Sequence, residues 1–301
     1  SYYQALKRLT LELAGIRLGE DHRFLVETRL SALARREGFE TLPQMIEELF
    51  SRGQTRLAIH VVSALLERTS RFFDDRESFE ILGDKLLPAL HPIYRGGTVK
   101  ILVYGCSSGQ EVYSAAIVAD RLAHVFPDMD VRIHGVDYPS LALDQAKQGR
   151  FTHFEVQRGL PIRHLVEYFT RDGEDWLVND SLRRRVDFDE HNLLSALPGD
   201  DHYQIVMFRG RQQQYSSPAA VRILREINRI TASEGYLMLG TKENLEKINF
   251  GYETKSIAPG VYKKRHQNKE SAPDTESQEP HPSQAAKTTP KPVFDSSQIA
   301  S

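Results

Sequence analysis

Cysteine and tryptophan are nearly missing from this 301-residue chain, which holds one of each. The lone Cys106 excludes an intramolecular disulfide framework and a thiolate zinc site, and it fits a reducing, cytoplasmic setting. Charge of either sign is also not in excess: 39 Lys and Arg stand against 41 Asp and Glu, a formal −2. A generally basic nucleic-acid-binding surface is therefore not expected, and any charged docking face must be local. No apolar run approaches the roughly 18 residues that span a bilayer. Ala58–Leu66 is short and holds His60, so membrane insertion is not expected. The start, Ser1-Tyr2-Tyr3-Gln4, lacks both a signal peptide's regions and an initiator Met, which suggests a trimmed beginning. His60, His124, His134, His153, His164 and His202 are scattered without metal-ligand spacing, and no metal is expected.

What is present divides the chain. From His266 to Ser301 there are five prolines and six serines, with only Val293, Phe294 and Ile299 as large apolar residues. That is too little apolar surface to offset ordering, so 266–301 reads as a disordered tail or linker. At the other end, 1–90 reads as helices. Leu6, Leu9, Leu11, Leu13 and Ile16, then Phe24, Leu25, Leu30 and Leu33, then Met45, Ile46, Leu49 and Phe50 recur mostly at helical spacings, punctuated by Gly15, Gly19, Gly38 and Gly53. Arg29, Arg35 and Arg36 lie on the middle helix, either as a solvated face or as a docking face for an acidic partner.

After Pro92 the period changes. Val99–Tyr104 is a β-branched apolar run, followed by Gly105-Cys106-Ser107-Ser108-Gly109 and then a helical stretch from Glu111 to Leu122. A second run, Val131–Val136, ends in Asp137 and precedes another helix. Two βα units in succession predict a parallel, doubly wound sheet, with Tyr203–Phe208 and Tyr236–Gly240 as later strands and an antiparallel hairpin around Pro259-Gly260. In such sheets ligands bind beyond the carboxyl ends of the strands. Gly105, Ser107 and Gly109 would let a ligand approach the backbone there, and Asp137 is placed to accept two ribose hydroxyls. No Gly-x-x-x-x-Gly-Lys-Ser/Thr or Gly-x-Gly-x-x-Gly is present, so a nucleoside cofactor without phosphates, S-adenosylmethionine, fits better than ATP or NAD.

The order of motifs resembles one family. Gly105-Cys106-Ser107-Ser108-Gly109-Gln110-Glu111-Val112-Tyr113-Ser114 is similar to the Gly-Cys-Ser-Thr-Gly-Glu-Glu-Pro-Tyr-Ser signature of CheR-type methyltransferases. Arg71-Phe72-Phe73-Asp74, Val136-Asp137, Ala146–Phe151, Gly159-Leu160-Pro161, Tyr168-Phe169, His191-Asn192-Leu193 and Leu237–Gly240 with Glu243 follow in family order. The resemblance implies a protein-glutamate O-methyltransferase acting on chemoreceptors. It implies an α/β fold whose doubly wound methyltransferase-type sheet carries a small antiparallel β-subdomain and follows an all-α N-terminal domain. The domains expected are 1–90, then 91–265 with the β-subdomain within about 151–188, to which Trp176-Leu177-Val178 and Val186-Asp187-Phe188 would give strands. Carried over position by position, Ser70, Gly105, Ser107, Gly109, Glu111, Asp137, Asn192 and Leu193 would contact the cofactor, and Arg29, Arg35 and Arg36 would meet the receptor. The β-subdomain segment lacks a further glycine-rich loop, so binding of a receptor's tethering peptide is not expected.

Two segments depart from the pattern. Thr-x-Asn-x-Thr-x-Phe-Phe-Arg reads Leu66–Asp74, with Arg68 for the asparagine and Asp74 for the arginine. Cys-Arg-Asn-Val-Leu-Ile-Tyr-Phe reads Phe208–Tyr215, with Gly210 for the asparagine and Gln214 for the tyrosine. An aspartate would repel a substrate carboxylate that an arginine would hold, at a loss of about 1.5–3 kcal/mol for the missing charge-assisted bond. Arg71, Arg76 and Arg68 are close in sequence and are candidates for rescue. Two readings stay open: a divergent methyltransferase, or a module that keeps the fold and the cofactor without the chemistry.

Overall fold

Apolar residues at helical spacing build the first four helices: α1 (Tyr2–Ala14), α2 (Arg23–Arg36), α3 (Leu42–Arg52) and α4 (Thr55–Leu66). Val26, Leu30 and Leu33 of α2 are fully buried against Leu6, Met45, Leu49, Val61 and Leu65. This computed structural model describes residues 2–19, 23–52, 55–66, 70–210, 212–245, 251–253 and 256–265. The tail from His266, like Arg68 and Arg211, lies outside them.

A rod then follows, made of α5 (Arg76–Ile81), a π-helical turn (Leu82–Leu86) and α6 (Leu87–Tyr94). Next come β1 (Thr98–Tyr104), α7 (Gln110–Ala123), β2 (Asp130–Asp137) and α8 (Leu141–Gln148). A small excursion holds β3 (Arg150–Thr152), α9 (His153–Gln157), α10 (Ile162–Tyr168), β4 (Phe169–Asp172), β5 (Asp175–Val178) and α11 (Asp180–Arg183). The chain returns through β6 (Val186–Glu190), β7 (Tyr203–Met207), α12 (Ser217–Ile230), β8 (Thr231–Met238) and β9 (Val261–Lys263).

The six-stranded sheet has the order β6-β2-β1-β7-β8-β9, parallel throughout except β9. Its strands are apolar on both faces because both are covered. In β1, Ile101 and Val103 enter the core under α7, while Leu102 and Tyr104 enter the opposite core with Ile223, Leu224 and Ile227 of α12. Ala14, Ile16 and Val62 join that second core, so α1 and α4 pack against the same face as α12. The expected α/β fold, with N-terminal helices and a small antiparallel sheet, is what the chain adopts.

One strand expectation needs correction, and another is met by isolated bridges rather than a ladder. Val186-Asp187-Phe188 belongs to the large sheet, not the β-subdomain: β6 pairs with β2 from Ile133↔Val186 to Asp137↔Glu190. The reason lies in Gly135, where an added Cβ would come 2.8 Å from the Phe188 ring, so the missing side chain makes room for that ring on the sheet. The small sheet is β3-β5-β4, with Trp176-Leu177-Val178 in β5 as expected and Phe151 of β3 packed edge-on against Phe72 at 5.0 Å. At the C-terminal end, the turn at Pro259-Gly260 is spanned by isolated antiparallel bridges, Ala258↔Val261 and Tyr252↔Lys264, and by the Glu253 N–H donating to the Lys263 carbonyl at 2.9 Å, without a continuous ladder. The ladder of β9 is with the free edge of β8 instead. Among the described residues, no helix is long and apolar enough to cross a membrane.

Candidate functional site

The parallel β1 delivers its last residue, Tyr104, to a turn that the sequence had marked by small residues. Gly105 and Gly109 both take positive φ, 91° and 90°, and a Cβ on Gly109 would come 2.8 Å from that of Ala146. Ser107 is also left-handed at φ 51°, and its N–H donates to Asp137 Oδ2 at 2.6 Å. Asp137 Oδ1 accepts from the Tyr138 N–H at 2.7 Å, so the carboxylate at the end of β2 clamps the loop after β1.

Beside this loop opens a cleft of about 840 Å³. Its walls come from distant parts of the chain: Arg29 of α2, then Ser70, Arg71, Asp74 and Asp75, Ser107, Glu111 of α7, the stretch after β7 with Arg209 and Gln214, and Gly240 to Glu243 after β8. At the inner end Arg209 Nε lies 3.6 Å from Glu111 Oε1. Arg209 is also held by the backbone carbonyl of Asp74, to which its Nη2 donates, and by the ring of Phe79, whose centroid is 4.9 Å from the guanidinium. Even so, Arg209 Nε and Nη1 and Glu111 Oε1 are buried without a hydrogen-bond partner. Buried polar atoms are normally satisfied, so an unsatisfied cation facing an unsatisfied anion marks a place built for a ligand carrying both charges.

The outer wall is pinned more fully. Asp75 accepts from the Thr241 N–H at 2.7 Å, the Thr241 hydroxyl at 2.8 Å and the Ser78 hydroxyl at 2.8 Å. Partial burial opposes its charge, but these bonds and nearby Arg209 outweigh it and hold its carboxyl below the usual carboxylate range. Glu243 Oε2 accepts from the N–H groups of Gly210 and Gly240, both at 2.7 Å, joining the ends of β7 and β8. Phe73, Asp75 and Ser107 are the non-glycine residues with positive φ among the described residues, and all lie on these walls or next to them. Backbone strain of this kind collects at functional sites.

The structure brings Ser70, Ser107, Glu111, Asp74, Gln214, Arg71 and Arg29 to one cleft. Gly105, Gly109 and Asp137 shape the adjoining loop. Asn192 and Leu193 are not among the lining residues: Asn192 Nδ2 donates to the Leu13 carbonyl at 2.7 Å and thereby ties α1 to the sheet, and Leu193 is buried. Arg76 is corrected as a rescue candidate, because it pairs with Glu80 at 2.9 Å in a different cavity. Arg71 does reach the cleft, where its Nη2 lies 3.6 Å from Asp74 Oδ1. Arg35 and Arg36 stay exposed at the end of α2, whereas Arg29 is half-buried and donates to the Leu65 carbonyl at 3.2 Å. Arg29 and Arg36, seven apart on this helix, share a face but differ in exposure. Sequence reasoning passed over Arg209. Its signal was a lone cation directly after the apolar run Tyr203–Phe208, at a strand's carboxyl end.

Residues 68–259 match the family model described as "CheR methyltransferase, SAM binding domain". The chain is 30% identical over 262 residues to chemotaxis protein methyltransferase 1 of Pseudomonas aeruginosa, covering 85% of this chain and 95% of that one. It is 29% identical over 259 residues to chemotaxis protein methyltransferase Cher2 of Pseudomonas putida, covering 84% and 94%. A chemotaxis protein methyltransferase 1 of Vibrio cholerae is 26% identical over 262 residues, covering 86% and 94%.

Proposed function

This chain belongs to the CheR methyltransferase family, and on that footing we propose that it methylates glutamate side chains of chemoreceptor-type proteins in the cytoplasm. The cofactor is S-adenosylmethionine, which when bound supplies an electrophilic methyl group on a sulfonium. The observation that carries the reading is the buried Glu111–Arg209 pair, whose unfilled acceptor and donors fit the ammonium and the carboxylate of an amino acid. Glu111 would accept from the ammonium, Arg209 would donate to the carboxylate, and Asp137, at the loop it clamps, would accept from ribose hydroxyls.

For the substrate, the protein's task is to hold an anionic oxygen in line and exclude water. The acids of the cleft are already engaged: Asp74 with Arg71, Asp75 with Thr241, Glu243 with two backbone N–H groups and Glu111 with Arg209. Among the described residues, Arg29 and Lys242 pair with no carboxylate. Arg29 is thus the cation best placed to hold the glutamate's second oxygen, in the role lost at Asp74. The helices up to about residue 90 act as the receptor-facing domain and 91–265 as the cofactor domain. The β4–β5 connection is only Gly173-Glu174, which supports a β-subdomain that does not take a tethering peptide.

A second reading, a cofactor-binding module without transfer, draws on Asp74 and Gln214 standing at the cleft. One paired experiment separates them. Calorimetry should show saturable S-adenosylmethionine binding that Glu111→Gln weakens, and labelled methyl groups should enter a chemoreceptor fragment but not one whose methylatable glutamates are alanine. Binding without transfer decides for the module, and no binding removes both.

A further inference from the structure

The ring of Phe73 does not face the cleft that its neighbours Asp74 and Asp75 line. It lines a second cavity of about 830 Å³ between α5 with the π-helical turn, α7 and α10. That is within the size range of small-molecule sites, which are mostly apolar with a few placed polar groups. Phe73, Phe79, Ile117, Val118, Leu122 and Pro161 form apolar walls. Phe73 and Phe79 meet edge to face at 5.2 Å, and His164 stacks on Phe73 at 5.6 Å, so one wall is aromatic.

Three observations indicate what would occupy it. His164 is only 4% exposed, and its Nδ1 is buried with no hydrogen-bond partner. The acid near it, Glu167, is 4.0 Å away, beyond hydrogen-bonding reach. Burial, helped by the charges of Arg163 and Arg121, pushes the His164 pKa down, so the ring is neutral near pH 7 and presents one donor and one acceptor. Finally, the charges at the mouth are unequal. Arg76 is taken by Glu80, but Arg121 and Arg163 pair with no acid among the described residues, and Asp84 is the other carboxylate on the lining.

We propose that this cavity is a second ligand site, distinct from the cofactor cleft, for a small amphipathic anion with an aromatic body and a carboxylate head. The aromatic body lies against Phe73, Phe79 and Val118, the carboxylate takes Arg121 and Arg163, and a polar atom of the ligand satisfies His164. Rings are favoured because flat apolar surface against Phe73 and His164 combines burial with offset stacking. The two guanidiniums give the head its sign.

Calorimetry with 2-naphthoate on the full chain tests this, with uncharged 2-naphthamide as the control for the head group. One saturable site is expected, roughly tenfold or more weaker for the amide and for the Arg121→Ala/Arg163→Ala double variant. Saturating S-adenosylhomocysteine should leave it in place. Both arginines are exposed, so the double variant is expected to fold, and its retained S-adenosylhomocysteine binding checks that. Val118→Trp, which fills the cavity, should abolish naphthoate binding while the melting temperature reports its folding. Absence of saturable binding, an affinity unchanged in the double variant, or displacement by S-adenosylhomocysteine would each overturn the proposal.

Discussion

The cleft contains two arginine–carboxylate pairs with the same 3.6 Å separation and opposite physical character. At the inner end, the side chains of Arg209 and Glu111 are 6% and 15% exposed. At the mouth, those of Arg71 and Asp74 are 55% and 62% exposed. A solvated pair contributes about 0–1 kcal/mol, while removing one partner of a buried pair costs roughly 3–5 kcal/mol because the other charge is left stranded. Distance alone does not rank them. Burial does: Glu111, on α7, is little screened, whereas Asp74 stands where water screens its charge.

The largest effect is expected where the contrast is sharpest. Arg209→Ala should lower unfolding stability by about 3–5 kcal/mol in urea titrations and remove measurable cofactor binding, whereas Arg71→Ala should cost under about 1 kcal/mol. Equal losses in the two variants would break the comparison. Next, Glu111→Gln keeps shape but loses charge, and calorimetry should read roughly a 10- to 150-fold weaker cofactor affinity, equivalent to about 1.5–3 kcal/mol. Arg29→Ala should reduce methyl transfer roughly tenfold with cofactor affinity unchanged, the response of a residue that holds substrate.

Asp75 lies between the extremes and adds a pH test. Its folded pKa is lowered, so the unfolded chain binds more protons across the window between the two values, and stability rises with pH there. The contribution is present above the ordinary carboxylate pKa and lost as pH falls through the lower folded value. Asp75→Asn should therefore destabilise the protein near pH 7, and its urea midpoint should converge on that of the parent as pH falls through the lowered folded value. The smallest effect on binding belongs to the mouth. Asp74→Arg with Gln214→Tyr should leave cofactor affinity within about threefold while raising methyl transfer to receptor fragments. A large change in cofactor affinity would show that the mouth and the inner end are not separable.

Much of this was legible because it rests on local rules. The apolar run Val99–Tyr104 followed by small residues and a helix announces a buried parallel strand and its ligand loop, and Asp137 does clamp that loop. Val186–Phe188 was misplaced because a three-residue apolar pattern does not say which sheet it joins. The hole over Gly135 is a long-range fact. Arg76 was misjudged for a similar reason: nearness in sequence suggested reach, but α5 carries it to the other cavity, where Glu80 one turn along takes its charge. Asn192 spends its amide on the Leu13 carbonyl, a partner 179 positions away.

The sequence by itself determined the class of fold and the class of cofactor, since alternation, turn glycines and an acid after the second strand act over a few residues at a time. Only the tertiary structure decided which charges share a cleft. It brought Arg209 from the end of β7 to Glu111 and Arg29 from α2 into the same cleft, and it left Asp74 in solvent. The physical reason is that the strength of a charge depends on its burial and on its neighbours, and both are set by chain segments that meet only on folding.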